Sequence, residues 1–397
     1  MADLSQVLVL SASFGEGHRQ ASQAIQEEIL VHYPDAQVDI LDYIQTINRA
    51  WNHVAQFFYI QGIKRTPGVY GFFYHHFNKI PMDSALSRGV SRLGLIVGGN
   101  KLLTYLERKR PQVVVHTFPT SAGAHGTLKE DGLDATPSVT LITDYSPHRQ
   151  WIHRATDMYF VAAPKVREEL VREGVPREKI RVTGIPVRQR FRQTYDPVAI
   201  RAKLGLAPDV PTILVLGGAF GVSLQIVALV EYLAHFPDPV QLIFVTGRNH
   251  RLFEQLERAL RGTEHPTLLF GFVEEIAEIM AAADFLVTKS GGLTTTEAVA
   301  MERPLLLLKP IPGQEKANAD FFVEKGVAHV AETLEELKAL SAMLLKYPQV
   351  LEEMRRRIVL LKRELVEVPL IDALREAADL GEVRRTTTKV KRRISRA

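Results

Sequence analysis

Residues 11–25, SASFGEGHRQASQAI, follow the apolar run VLVL and set Gly15 and Gly17 directly ahead of His18. Glycines at a strand-to-helix turn let a ligand approach the backbone, with helix N–H groups behind it. A histidine there could touch a phosphate, take a proton, or bond a neighbour at the helix start. A dinucleotide fingerprint needs a third glycine at position 20, which is Gln20, so that motif fails. A second turn, TKSGGLTTTEA (288–298), carries Ser290, Gly291 and Gly292 toward a helix beginning near Thr294. Exposed N–H groups and about half a positive charge at a helix start suit a diphosphate. Glu297 has two readings: the Thr294-x-x-Glu297 spacing fits a capping box, and a carboxylate there could take both hydroxyls of a ribose. In PGQEKANADFF, Gln314 and Glu315 stand on a Pro-Gly turn, suited to sugar hydroxyls or serving only the turn.

Other chemistries find little support. The chain has no cysteine, which excludes thiol catalysis, disulfides and thiolate-held metals and fits a reducing cytosol. None of its Asp-x-Asp spacings exists, so no bivalent metal on a nucleotide diphosphate is expected, and no other cofactor. HExxH, Walker and GxSxG motifs are likewise missing.

The elements that must position these residues alternate with α/β rhythm. Short buried-type runs read as strands: VLVL, VDILDY, PQVVVHTF, PSVTLIT, MYFVA and IRVTGIPV, then PTILVLGGAFG, VQLIFVTG, PTLLFGFV, ADFLVTKSGG and RPLLLLKP. Between them lie helical patterns such as ASQAIQEEILVHY (21–33) and VREELVREG (166–174). At 397 residues, two doubly wound Rossmann-like domains in series are expected, with ligands at the carboxyl ends of their strands across a cleft. Their expected spans are 1–195 and 196–370. Residues 371–383 are expected as a helix packing back on the first domain, and 384–397 as a basic, disordered tail.

Two segments stand apart. Residues 51–79 hold nine aromatics, including Phe72 and Phe73, interleaved with histidines and cations. They read either as core helices or as a surface whose rings sit among lipid head groups. The formal net charge is +4, yet the tail 384–397 carries seven Lys/Arg and no acid, leaving the rest at −3. Such a tail suits an anionic membrane surface, and no nucleic-acid recognition motif accompanies it. There is no basic leader before the first strand, and no run of eighteen apolar residues to cross a membrane.

The stretch Ser290 to Phe322, with the opening SxSFGxGH, resembles the bacterial processive diacylglycerol glucosyltransferases and the related plant monogalactosyldiacylglycerol synthases. HTFP (116–119), TDYSPHRQWIH (143–153), VTGIPVR (182–188) and GGAFG (217–221) agree, so the resemblance runs from about residue 5 to about 380. It implies the GT-B fold and inverting, metal-free transfer of glucose or galactose from a UDP-sugar to diacylglycerol, possible in successive rounds. His18 then matches the family histidine at the acceptor hydroxyl, a base with a pKa near working pH, and Asp144 either orients it or acts as the base. Gly218 matches the loop near the donor phosphates, and Phe272 and Val273 the uracil seat. Ser290, Gly291, Gly292 and Thr294 match the diphosphate site, Glu297 the ribose partner, and Gln314 with Glu315 the sugar contacts. Phe72, Phe73 and Trp151 fall to the acceptor and membrane side. The implied location is cytoplasmic, on the inner face of the cell membrane. Rival readings are an N-acetylglucosaminyltransferase acting on a lipid-linked peptidoglycan precursor, a soluble nucleotide-sugar epimerase, and a UDP-sugar sensor without catalysis.

Overall fold

The computed structural model describes residues 4–12, 16–47, 100–217 and 223–381. Segment 51–79 with Phe72 and Phe73, the turn residue Gly218 and the basic tail lie outside these. The described residues form two compact units. One runs to Gln189 and resumes at Glu364; the other is Arg190–Arg363.

The first unit is a six-stranded parallel sheet: β1 (Gln6–Ser11), β2 (Gln37–Asp42), β3 (Val113–His116), β4 (Ser138–Leu141), β5 (Met158–Val161) and β6 (Ile180–Val182), in the order β2-β1-β3-β4-β5-β6. β3, β4 and β5 are buried along their whole length, so they show no alternation of buried and exposed residues. Val7, Val9, Val113, Val115, Val139 and Phe160 pack with Leu370, Ile371 and Leu374 from a helix over residues 370–381. The chain leaves β1 toward β2 on one side and returns on the other as β3. The switch point, where a doubly wound sheet opens a crevice, is therefore at the carboxyl ends of β1 and β3.

The second unit repeats the plan with β7 (Thr212–Leu216), β8 (Gln241–Val245), β9 (Thr267–Phe270), β10 (Phe285–Thr288), β11 (Leu305–Leu308) and β12 (Ala328–Ala331), in the order β12-β11-β10-β7-β8-β9. Its switch point lies between β7 and β10. β12 has no counterpart among the strands expected from sequence. Its AHVA is short, carries one β-branched residue, and sits half-buried at the sheet edge.

The units divide at Gln189/Arg190, ahead of the expected 195/196, and the chain rejoins the first unit at Glu364 rather than 371. Partner choice within the Arg-rich stretch explains the earlier division. Arg188 Nε donates to Glu27 Oε1 at 2.7 Å and Gln189 Nε2 to Glu28 Oε2 at 2.9 Å, both on the helix Glu16–His32. Arg190 instead binds the Glu274 carbonyl and Glu275.

Candidate functional site

In the first unit, His18 stands in the opening turn of the helix Glu16–His32, which follows β1. Two other strand ends wall it. Thr117 and Phe118 follow β3, and the Phe118 ring meets the imidazole edge-on at 5.4 Å. Thr117 is itself pinned: its N–H donates to the Leu10 carbonyl at 3.0 Å, and its hydroxyl lies 3.0 Å from Ser22 Oγ on the His18 helix. Thr143, just beyond β4, brings its Oγ1 to 3.4 Å from His18 Nδ1. The Trp151 ring lies 6.3 Å away and is fully buried, so this ring belongs to the interior beside His18 and not to a membrane-facing surface. Its residue lies in the short helix Arg149–Trp151, which packs on the helix Pro119–Glu130, and that packing turns the ring inward. The His148 ring also lies against Trp151, tilted, with centroids 5.5 Å apart.

This apolar wall acts on the proton chemistry. Burial lowers the His18 pKa from 6.5 to about 4, and a hydrogen bond with the Thr117 backbone opposes the shift. His148 is lowered to about 4 as well, by burial and then by His18. The expectation of a pKa near working pH is thus corrected. Charging an imidazole beside the Phe118 and Trp151 rings is disfavoured, so His18 is neutral at pH 7 and has a lone pair to accept a proton. Asp144 follows Thr143 and is half-buried; the atom found on His18 Nδ1 is the Thr143 hydroxyl.

In the second unit, β10 runs through Lys289 and Ser290 into the helix Gly292–Ala300, two residues earlier than expected. Its N-cap is Gly291, and no side chain caps it. Thr294 therefore lies inside the helix, and the capping-box reading of Glu297 is excluded. Thr295 and Thr296 return their hydroxyls to the Gly291 and Gly292 carbonyls, and Glu297 is buried one step further. β11, the neighbour of β10, leads into the helix Gln314–Glu324, whose N-cap, Gly313, also offers no side-chain cap. Its φ of 112° is a conformation that favours glycine, which accounts for that residue at the turn.

Ser290 and Glu315 lock the two turns together. Ser290 Oγ donates to the Glu315 carbonyl at 2.7 Å, and Asn318 Nδ2 to the Ser290 carbonyl at 3.1 Å. Lys289 Nζ donates to Glu315 Oε1 at 2.9 Å and the Ile311 N–H to Oε2 at 3.3 Å. Both oxygens of Glu315 are engaged within the chain, whereas Gln314, its neighbour, opens the helix. Two helix starts free of side-chain caps thus lie side by side, their turns joined by the Lys289–Glu315 ion pair, and backbone N–H groups at such starts favour an anion. Beyond β9, Phe272 is 53% exposed, with Arg248 5.0 Å over its ring, and Val273 follows half-buried. Among the described residues no group of three or more His, Asp or Glu is placed to hold a metal ion.

Sequence reasoning had not singled out Thr117, Phe118, Thr143, His148, Lys289 or Asn318. HTFP, TDYSPH and TKSGG contain most of them, but only the order of the strands brings them to their partners.

The chain matches the family model of monogalactosyldiacylglycerol (MGDG) synthase over residues 18–187. It also matches that of UDP-N-acetylglucosamine 2-epimerase over 146–356. It is 31% identical over 376 residues to the processive diacylglycerol beta-glucosyltransferase of Bacillus subtilis, covering 94% of this chain and 95% of that one. With the enzyme of the same name from Bacillus cereus it shares 32% over 340 residues, 86% and 85% of the two chains. Among solved structures, MurG of Acinetobacter baumannii has a TM-score of 0.58 at 17% identity, covering 95% of this chain and 99% of its own. The calicheamicin glycosyltransferase CalG4 has a TM-score of 0.59 at 15%, covering 96% and 100%. At such identities the likeness speaks for the fold alone, and that fold is GT-B.

Proposed function

Because the chain belongs to the family of processive diacylglycerol β-glucosyltransferases, we propose the division of labour by which it moves a hexose from a UDP-sugar to diacylglycerol. The observation that carries this reading is the pair of glycine-capped helix starts joined by Ser290 and Glu315. As the glycosidic bond to UDP breaks, negative charge grows on the diphosphate. Backbone N–H groups and the two helix dipoles stabilise that charge, and Lys289 adds to them. No metal is needed for this role. Ser290, Gly291, Gly292 and Thr294 form the phosphate seat with the Gly218 turn. Glu297 takes the ribose, Phe272 and Val273 seat the uracil, and Gln314 holds the sugar. Glu315 serves chiefly as the tie between turns.

His18 takes the proton of the acceptor hydroxyl while that oxygen attacks the anomeric carbon, through an oxocarbenium-like state and with inversion. Its neutrality at pH 7 is what the step requires. Asp144, one residue beyond Thr143, then stabilises the imidazolium that forms. Trp151 and Phe118 keep water from the proton transfer.

No described helix is long and apolar enough to cross a membrane; because a diacylglycerol acceptor stays in the bilayer while a UDP-sugar is a water-soluble donor, we place the enzyme peripherally, on the cytoplasmic face. Residues 51–79 and the basic tail are the proposed anchors, since stable docking takes two signals. The test is incubation with UDP-glucose or UDP-galactose and diacylglycerol liposomes, with lipid products resolved by mass spectrometry. Glucosyl- and diglucosyl-diacylglycerol are expected from UDP-glucose. Conversion of a UDP-sugar to its epimer without lipid product would overturn the reading. Sedimentation with anionic liposomes should weaken with salt and on deletion of 384–397, and Phe72→Ser with Phe73→Ser should reduce the salt-resistant part.

A further inference from the structure

Beneath the His18 wall runs a buried chain of titratable groups that the transfer reaction does not use. It starts at Asp134, whose Oδ2 accepts from His125 Nε2 at 2.8 Å. His125 Nδ1 lies 3.0 Å from His116 Nε2, and His116 Nδ1 lies 3.0 Å from Ser121 Oγ. Ser121 Oγ is also 2.8 Å from the Phe118 carbonyl. His116, Ser121 and His125 are essentially inaccessible. His116 ends β3, so the chain terminates on the turn that presents Thr117 and Phe118 to His18.

We infer that His116 and His125 are positioning residues of the transfer site, holding the Thr117–Phe118 turn against His18 through Ser121. This rests on the reading of His18 as the base. Proton counting shows how the chain is wired. Asp134 also accepts from the N–H and hydroxyl of Thr136, so it is a carboxylate and His125 Nε2 carries hydrogen. If Ser121 gives its one hydrogen to the Phe118 carbonyl, His116 Nδ1 must also carry hydrogen. The bridge between the rings needs another. The two rings would then hold three hydrogens and one positive charge. Two neutral rings hold only two, and the pattern closes when Ser121 turns its hydroxyl to His116 Nδ1 instead.

Burial holds both histidines below their ordinary value. His125, His153 and Lys129 push His116 the same way, and Lys129 pushes His125 down while Asp134 and Asp157 pull it up. Lys129 itself is ion-paired with Asp157 beside them. At neutral pH the pair is therefore neutral, and a directed run of hydrogen bonds leads from Ser121 through His116 and His125 to Asp134. The bond to His116 draws Ser121, in the first turn of the helix Pro119–Glu130, onto the end of β3, so the helix start that follows Phe118 is fixed through the chain itself, with the Ser121 hydrogen on His116 and not on the Phe118 carbonyl.

The experiment compares His116→Gln, His116→Asn and Ser121→Ala with the intact full-length chain, per folded molecule and below each melting temperature. His116→Gln reaches only the His125 end and should lower kcat about tenfold, since small displacements of a catalytic group are costly. KM for UDP-glucose should stay within about twofold, because hydrogen bonds of the first unit alone are removed. His116→Asn reaches the Ser121 end and should retain more turnover. Nitrogen-15 NMR titration of His18 supplies a readout apart from activity: its pKa, about 4 in the intact chain, should climb toward 6.5 in His116→Gln as the wall loosens. Melting temperatures that fall while kcat and the His18 titration stay put would overturn the inference, leaving the chain a polar core. If His18→Ala still turns over, the base reading fails, and the titration alone decides whether the chain positions the ring.

Discussion

β1 and β10 are alike in place: each is a buried strand at a switch point of its sheet, and each is followed by a helix, Glu16–His32 after β1 and Gly292–Ala300 after β10. What surrounds them differs. Around His18 lie Phe118, Trp151 and His148, a setting that disfavours charge and leaves the imidazole neutral. After β10 the helix begins on a bare glycine, and a second helix does the same beside it, with Lys289 at hand. In the proposed mechanism the first accepts a proton and the second an anion. A shared backbone plan therefore does not fix function; the side chains brought from neighbouring strands do.

Removing His18 breaks that contrast most severely. His18→Ala should lower turnover by about 10²–10⁴-fold, the range of general base catalysis. UDP affinity, measured by calorimetry, should stay within about twofold. A collapse of UDP affinity with turnover preserved would make both turns phosphate sites.

Glu297→Ala probes the other side. The capping role is excluded by the N-cap at Gly291, so the substitution should act on the donor. UDP-sugar affinity should fall about tenfold, the scale of a lost hydrogen bond to a charged group. Melting temperature reports the competing outcome: a large drop with unchanged affinity would make Glu297 a packing residue.

Much of this was legible from residues alone. Eleven strands follow from short β-branched runs, and the glycines at 291 and 292 marked the turn between β10 and its helix. The helix start was misplaced because Thr294 and Glu297 have cap spacing, while the true N-cap has no side chain to announce it. The walls of His18 were illegible for another reason. Thr117, Phe118, Thr143 and Trp151 lie about a hundred or more residues away in sequence, and only the order β1-β3-β4 makes them neighbours. The same distance hid the pKa. Nothing in GEGHRQ foretells that the Phe118 and Trp151 rings will lie beside the imidazole.

The pH profile sharpens the comparison further. A base with a pKa of about 4 is active in its neutral form, so the acid limb of kcat should lie near pH 4, well below the 6.5 of an unperturbed histidine. Stability carries the same sign. His18 and His148 are held neutral in the fold but take protons near 6.5 when unfolded, so the unfolded chain binds more protons between 6.5 and about 4. Their stabilising contribution is fully present above 6.5 and is lost as pH falls toward 4. Denaturant titrations across that window should show the midpoint falling, and His148→Phe should flatten the slope. An activity limb near 6.5 would mean that the wall around His18 opens when substrate enters.

Thr143→Val should have the smallest effect and is the finest probe of the acceptor side. The contact between Thr143 Oγ1 and His18 Nδ1 is long at 3.4 Å, near the limit for a hydrogen bond. It orients the ring more than it changes its basicity. Valine keeps the branched shape and removes the hydroxyl, so packing against His18 is preserved. Turnover should fall roughly threefold, with UDP affinity and the pH of the acid limb unchanged. A shift of the limb upward with little loss of turnover would mean that Thr143 holds the ring neutral, not that it aims the ring. A loss as deep as that of His18→Ala would show that ring orientation, and not desolvation, is what separates this turn from the one after β10.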